Sequence, residues 1–324
     1  MKAIQIDHQG GPDELKYVEV PKPTPKAGEV LVRQTAIGLN FIDVYIRGGT
    51  YKRETPFILG REGVGVVEAL GPDVTGIAIG DRVGYCETAH LGGYAEYNAI
   101  LVSDAVPIPA DIDDNTACAV MLQGLTAQYL TASTFPIAPG DTVLIHAAAG
   151  GVGLLLTQLA KARGATVIAT AGGAEKVALA RGAGADHVID YSTTDFAPEV
   201  KRITGGAGVA AVYDSVGIDT YERSLAVLRP RGMFVLFGAS SGPVPPIDPQ
   251  KLAVGGSLFM TRPTLTHYKL THAELLERAT DLFEKIRAGK LDVRIGATYP
   301  LAEAAQAHRD LEARKTTGKV LLIP

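Results

Sequence analysis

The apolar positions of this chain change their period near residue 140. Up to about Ile108 they form short β-like runs, at Ala3–Ile6, Tyr17–Val20, Val30–Val32, Val64–Glu68 and Arg82–Gly84, set between clusters of glycine and proline. Stretches such as PKPTPKAGEV and GPDVTGIAIGD read as turns, because proline fixes φ and glycine tolerates positive φ. The pattern predicts an irregular antiparallel β module with one early helix, Phe41–Arg47. From Thr142 the rhythm differs. Short apolar runs begin at residues 142, 166, 187, 210, 232 and 257, a step of 21 to 25 residues. Helical patterns lie between them, at Leu154–Arg163, Lys176–Arg181, Asp195–Ile203 and Tyr221–Val227. Strands alternating with helices at this step predict right-handed βαβ units and a doubly wound parallel sheet. A helix over Asn115–Ala132 precedes them. Two longer helical patterns, Ala273–Ala288 and Ala302–Arg314, and a closing strand, Lys319–Ile323, follow.

The first βα turn reads His146-Ala-Ala-Ala-Gly150-Gly151-Val152-Gly153 and matches A-x-G-x-x-G, with Ala148 at the first glycine position. Gly150 lets backbone approach a pyrophosphate, and Gly153 lets the helix pack closely on the strand. The helix N-terminus then offers unpaired N–H groups to the anion. The loop therefore predicts a bound dinucleotide. An NAD site places an acid about 20 residues on, where it holds the ribose hydroxyls. Here the second strand ends Ala171-Gly172-Gly173 without one. Lys176 follows and suits a 2′-phosphate, which carries close to two negative charges. Glu175 beside it could itself face a ribose, but the missing acid favours NADP(H).

Composition narrows the class. The 324 residues are 46 % hydrophobic and 20 % charged, enough for about two domains with full cores. Lys plus Arg number 31 against 35 for Asp plus Glu, a net charge of −4, so no basic footprint points to nucleic acid. No apolar run is long enough for a membrane span, and the N-terminus lacks a signal-peptide core, which predicts a cytoplasmic protein. Cys86 and Cys118 stand 32 positions apart with no C-x-x-C, which suits free thiols and excludes a cysteine-rich zinc site. Gly238-Ala-Ser240-Ser-Gly242 matches G-x-S-x-G, but Pro243, Pro245 and Pro246 follow at once, whereas a nucleophile elbow runs straight into a helix.

AAAGGVG after a strand, the β module ahead of it, GLNFID and GREGVGVV together resemble the medium-chain dehydrogenase/reductase superfamily. Its zinc alcohol dehydrogenases carry a cysteine two positions after the glycine of the first segment and a histidine in a G-H-E triplet. Asn40 and Arg61 stand at those places here. The donor pair that zinc requires is gone, and with it the Lewis acid that ionises an alcohol. NFIDVYIRGG, YDSVG, VLFGASSG, TRP and the terminal GKVLLIP are more similar to the zinc-free quinone oxidoreductases, the zeta-crystallin-like NADPH:quinone reductases.

The resemblance implies a Rossmann-like domain over residues 126–264 and a GroES-like β domain over 1–125 and 265–324, an α/β fold. It implies NADPH contacts at Asn40, Phe41, Ile42, Thr126, Gly151, Val152, Lys176, Tyr191, Ser215, Phe237, Gly238, Ser240 and Arg314; the fingerprint itself adds Gly150 and the strand end adds Gly172 and Gly173. It also implies a homodimer through the edge strand SLFMT, 257–261. Tyr45 and Tyr51 fall on the family's active-site rim, as hydrogen-bond donors or stacking platforms for the acceptor. Asn40 would hold the nicotinamide ribose or a water. The expected activity is metal-free hydride transfer from NADPH to a quinone. Reduction of α,β-unsaturated ketones or aldehydes, or NADPH binding without catalysis, are the alternatives.

Overall fold

The computed structural model describes residues 1–88 and 90–324. The first strands are β1 (Lys2–Ile6), β2 (Lys16–Glu19) and β3 (Glu29–Leu39), followed by helix α1 (Phe41–Arg47). Strands β4 (Phe57–Ile58), β5 (Glu62–Leu70), β6 (Arg82–Cys86), β7 (Tyr97–Leu101) and β8 (Val106–Pro107) lead to helix α2 (Asp114–Tyr129). The 11-residue β3 is the axis of this region, pairing antiparallel with β5 and β7. Helix α2 ends earlier than its sequence pattern suggests, passing into a π-type turn over Leu130–Thr134 where the Thr131 hydroxyl bonds back to Ala127 O.

The alternating part follows as β9 (Thr142–Ile145), α3 (Gly151–Ala162), β10 (Thr166–Ala171), α4 (Ala174–Gly182), β11 (His187–Asp190), α5 (Phe196–Ile203), β12 (Val209–Asp214), α6 (Tyr221–Ala226), β13 (Leu228–Leu236), α7 (Pro249–Val254) and β14 (Phe259–Thr261). Its sheet runs β11-β10-β9-β12-β13-β14, parallel throughout. In strand sequence this is the order 3-2-1-4-5-6 of dinucleotide-binding sheets. All six strands arise from the apolar runs because a sheet covered on both faces needs no polar alternation. The short α7 is an element that apolar periodicity misses. Its signal is local: Asp248 accepts from Gln250 N, and Pro249 takes the first helical position.

The chain closes with α8 (His272–Arg287), β15 (Ile295–Pro300), α9 (Ala304–Glu312) and β16 (Lys319–Ile323). Strand β16 pairs antiparallel with β3 and parallel with β15, so the C-terminus completes the β sheet begun by the N-terminal residues. Two compact units result. One comprises Met1–Leu125, Tyr268–Arg287 and Val293–Pro324; the other comprises Thr126–His267 and Ala288–Asp292. In the first, Ile37, Leu39, Ile46, Leu59, Val320 and Leu322 share a buried core. In the second, Leu144, Ile168, Val212 and Phe234 lie under the helices. Among the described residues no helix is long and apolar enough to cross a membrane.

Candidate active site

The phosphate loop of the second unit is held tightly. Gly150 caps α3 in an extended conformation, and Ala148 N donates to Thr170 O at 3.0 Å. A Cβ on Gly153 would lie 2.4 Å from Ala147 O and 2.7 Å from Ala148 Cα. Both neighbours are backbone, so only glycine lets α3 start this close to β9. That is the cradle a pyrophosphate needs, and these residues fit a dinucleotide.

Behind the loop lies a buried polar chain. His146 Nδ1 meets Thr170 Oγ1 and its Nε2 meets Ser224 Oγ, each at 2.9 Å, while Ser224 donates to Asp214 at 3.2 Å. Burial lowers the His146 pKa, which keeps the imidazole neutral. Asp214 also accepts from Val216 N, Gly217 N and Thr220 Oγ1. It thereby shapes the turn after β12. Ser215 lies in that turn, and Ser240 N donates to Ser215 O at 3.0 Å. Gly238 is pressed against the same residue, where a Cβ would come within 2.7 Å of Ser215 O. Ser215, Phe237, Gly238 and Ser240 are thus brought together at the carboxyl ends of β12 and β13, where doubly wound sheets bind ligands.

At the end of β10 a Cβ on Gly172 would strike the Tyr191 ring at 2.7 Å, so the tyrosine lies directly against that glycine. Gly173 has φ 85° and caps α4, whose first turn carries Lys176. The nearby acid comes from β11: Asp190 accepts from Gly173 N, Ser192 N and Ser192 Oγ. The Ser192 hydroxyl bond holds its carboxyl below the usual range. Thr126 lies on α2, and Arg314 follows α9 in the first unit with φ 58°.

The first unit holds a second polar cluster that sequence reasoning only half anticipates. Asn40 precedes α1 with its side chain fully engaged: Nδ2 donates to Glu62 Oε2 at 2.7 Å, and Oδ1 accepts from Lys319 Nζ and Gln123 Nε2, each at 3.1 Å. Lys319 also donates to the Glu62 carboxylate. Gly38 makes room, since a Cβ there would lie 1.8 Å from Glu62 Oε2. Neither Lys319 nor Gln123 belongs to a motif that marks it in the sequence. The available signal was a lysine heading the apolar strand VLLI, a charge with nowhere wet to go. Phe41 and Ile42 open α1, on which the Phe41 and Tyr45 rings lie tilted at 43° with centroids 6.0 Å apart; Tyr45 meets Tyr51 edge-on at 6.1 Å.

A donor chain runs inward from the far end of α1. Arg47 Nη1 donates to His308 Nδ1 at 3.0 Å and to Glu312, leaving the His308 Nε2–H to donate to Tyr94 Oη at 3.1 Å. Tyr94 donates to Asp43, which also accepts from Asn40 N. Burial raises the Asp43 pKa to about 7, and burial with the Arg47 charge lowers that of His308 to about 3.

These positions offer no zinc site. The Asn40 amide is taken up by Glu62, Lys319, Gln123 and Gly38 O, and a cation occupies position 61. Among the described residues no cluster of three or more His, Cys, Asp or Glu could hold a metal. Residues 151–284 nonetheless match the family model described as zinc-binding dehydrogenase, and residues 26–110 match the alcohol dehydrogenase GroES-like domain. A quinone oxidoreductase of Pseudomonas aeruginosa is 47 % identical, covering 100 % of this chain and 99 % of its own. The chain belongs to the quinone oxidoreductase family of medium-chain dehydrogenase/reductases. Another family relative, a 2-haloacrylate reductase of a Burkholderia species, is 44 % identical over 99 % of this chain and 98 % of its own. The solved structure of the Escherichia coli quinone oxidoreductase, a complex with NADPH, superposes with a TM-score of 0.98 at 45 % identity, covering 100 % of both chains. The family's fold, a GroES-like domain with a Rossmann-like domain, is the fold of this chain.

Proposed function

We infer that the protein is an NADPH-dependent quinone reductase that transfers hydride without a metal. The observation that carries this reading is the dinucleotide loop Gly150–Gly153 in a chain whose metal-ligand positions are held by Asn40 and Arg61. When bound, NADPH supplies the hydride at the nicotinamide ring. The chain's own residues bind and orient. Backbone at Gly150, Gly151 and Val152 receives the pyrophosphate, and Lys176 pairs with the 2′-phosphate beside Gly172, Gly173 and Tyr191. Ser215, Phe237, Gly238 and Ser240 line the sheet end. The family resemblance adds Phe41, Ile42, Thr126 and Arg314 to the cofactor contacts; Asn40, also in that set, has its side-chain amide already bonded within the protein and stands behind the site.

A quinone needs little electrophilic help, because hydride addition leaves a stabilised oxyanion that a hydrogen-bond donor can support. Tyr45 and Tyr51 serve as rim donors or stacking platforms for it. A second reading, reduction of an α,β-unsaturated carbonyl compound at the same site, is favoured by the 2-haloacrylate reductase among the relatives. The two differ in kcat/KM measured for a quinone and an enal side by side. A cytoplasmic homodimer fits the second unit's sheet, where β14 forms an edge and Phe259 is 57 % exposed. The test is loss of nicotinamide absorbance with a quinone panel. Tight NADPH binding without quinone-dependent oxidation defeats the catalytic reading.

A further inference from the structure

We propose that Asp190 is a positioning residue for cofactor choice: its carboxylate ties the turn after β11 to the turn after β10, so that the Tyr191 phenol stands where a ribose-binding acid would. This rests on the reading that the 2′-phosphate of NADPH lies beside Gly172, Gly173 and Lys176, and it names what sets the tyrosine there.

Strands β10 and β11 are parallel neighbours, with Ala171 opposite Asp190. In a sheet of this order the end of the second strand faces a ribose of the bound dinucleotide. An acid about 20 residues beyond the glycine loop accepts from its hydroxyls there. Here the second strand is β10, and the chain at its end reads Ala171-Gly172-Gly173. The neighbouring strand fills the space instead. A Cβ on Gly172 would come within 2.7 Å of both Cζ and Oη of Tyr191. Residue 172 therefore carries no side chain while that ring stays in place. The phenol end of the ring covers the glycine, and Tyr191 remains 44 % exposed, open to a ligand.

The exchange inverts the chemistry of the strand end. A carboxylate only accepts, which suits ribose hydroxyls that donate. A 2′-phosphate is itself an anionic acceptor and needs donors, which a phenol O–H and an ammonium supply. Lys176, in the first turn of α4, brings the ammonium to the same strand end.

Asp190 holds this arrangement from one oxygen. Its Oδ1 accepts from Gly173 N at 3.1 Å, from Ser192 N at 3.0 Å and from the Ser192 hydroxyl. The first bond crosses to the turn after β10, and the other two grip the residue that follows the tyrosine. Tyr191 N donates to Ala171 O at 3.1 Å, and Asp190 O accepts from Thr193 N and Thr194 N. The backbone of Tyr191 is thus fixed on both sides and beneath. Gly173 presents its N–H to Asp190 at φ 85°, a left-handed conformation that favours glycine. Both glycines therefore serve one purpose: Gly172 admits the ring, and Gly173 receives the residue that holds it.

The experiment measures NADPH and NADH dissociation constants by nicotinamide fluorescence on the full chain. The variants are Asp190→Ala, Asp190→Asn, Tyr191→Ala and the double variant Asp190→Ala with Tyr191→Ala. Asp190→Ala should weaken NADPH about tenfold and leave NADH within about twofold. Asp190→Asn, whose amide oxygen still accepts, should stay within about threefold of wild type for both. Tyr191→Ala should weaken NADPH at least as much as Asp190→Ala does. Adding Asp190→Ala to it should then cost less than about twofold more, since no ring is left to position. Asp190→Val, with a side chain that suits a strand end, replaces Asp190→Ala if the latter fails to fold. Three results overturn the proposal: NADH weakened as much as NADPH, NADPH affinity unchanged or tightened in Asp190→Ala, or full additivity in the double variant. Tyr191→Ala without effect on either cofactor removes the 2′-phosphate from this strand end, and the proposal with it. Because binding rather than turnover is read, failure of the quinone reductase reading leaves these outcomes unmoved.

Discussion

The ammonium of Lys319 donates to the carboxylate of Glu62 in the interior of the first unit, with side chains 1 % and 0 % exposed. Asn40 bonds both partners and so locks its own amide orientation. Removing one member of such a pair leaves an uncompensated buried charge, at a cost of about 3–5 kcal/mol. Lys319→Met should lose that much in urea unfolding. The double variant Lys319→Met with Glu62→Gln should recover most of it. Equal instability in single and double variants would show that the pair is not the source.

Gly153 gives a prediction with an internal control. Its added Cβ would meet backbone at 2.4 Å, whereas a Cβ on Gly182, the last residue of α4, meets nothing within 4 Å. Gly153→Ala should lower stability by about 1–3 kcal/mol and weaken NADPH binding at least about tenfold. Gly182→Ala should be neutral or stabilising by up to about 1 kcal/mol. Thermal unfolding and fluorescence titration read both.

Cofactor choice tests Lys176. If its ammonium pairs with the 2′-phosphate, Lys176→Ala should raise the KM for NADPH by about tenfold or more and leave NADH nearly unchanged. Steady-state kinetics with both cofactors decides; equal effects would assign Lys176 to a general structural role.

Asp43 and His308 bias stability in opposite directions with pH. The raised Asp43 pKa, about 7, stabilises the fold below the ordinary carboxylate range, and that contribution is lost as pH rises through about 7. The lowered His308 pKa, about 3, stabilises above the ordinary histidine value, and that contribution is lost as pH falls toward 3. Between pH 4 and 7 the two slopes oppose each other. Relative to wild type, Asp43→Asn should make stability climb more steeply with pH across this window, and His308→Gln should make it climb less or fall. Urea titrations at four pH values suffice. Parallel curves for all three proteins would remove both groups from the account.

Much of this architecture is legible in the residues, for physical reasons that differ by element. The parallel strands β9 to β14 show as apolar runs because helices cover both faces, and A-x-G-x-x-G shows because Gly153 admits no side chain. Strand β15 is hidden, since its alternating half-exposed residues lie beside a single partner, β16. The polar cluster is hidden for another reason. Asn40, Glu62, Gln123 and Lys319 are far apart in sequence, and only the closing of β16 onto β3 brings the last of them to the others. The sequence shows that the metal ligands are gone. Which side chains fill their place is a tertiary fact.

The most direct measurement is stoichiometric: NADPH consumed against quinone reduced, on protein whose metal content has been determined, with and without a strong chelator. The account predicts one NADPH per quinone, no stoichiometric zinc and no effect of the chelator. Turnover that requires zinc, or NADPH binding with no quinone-dependent oxidation, would contradict it.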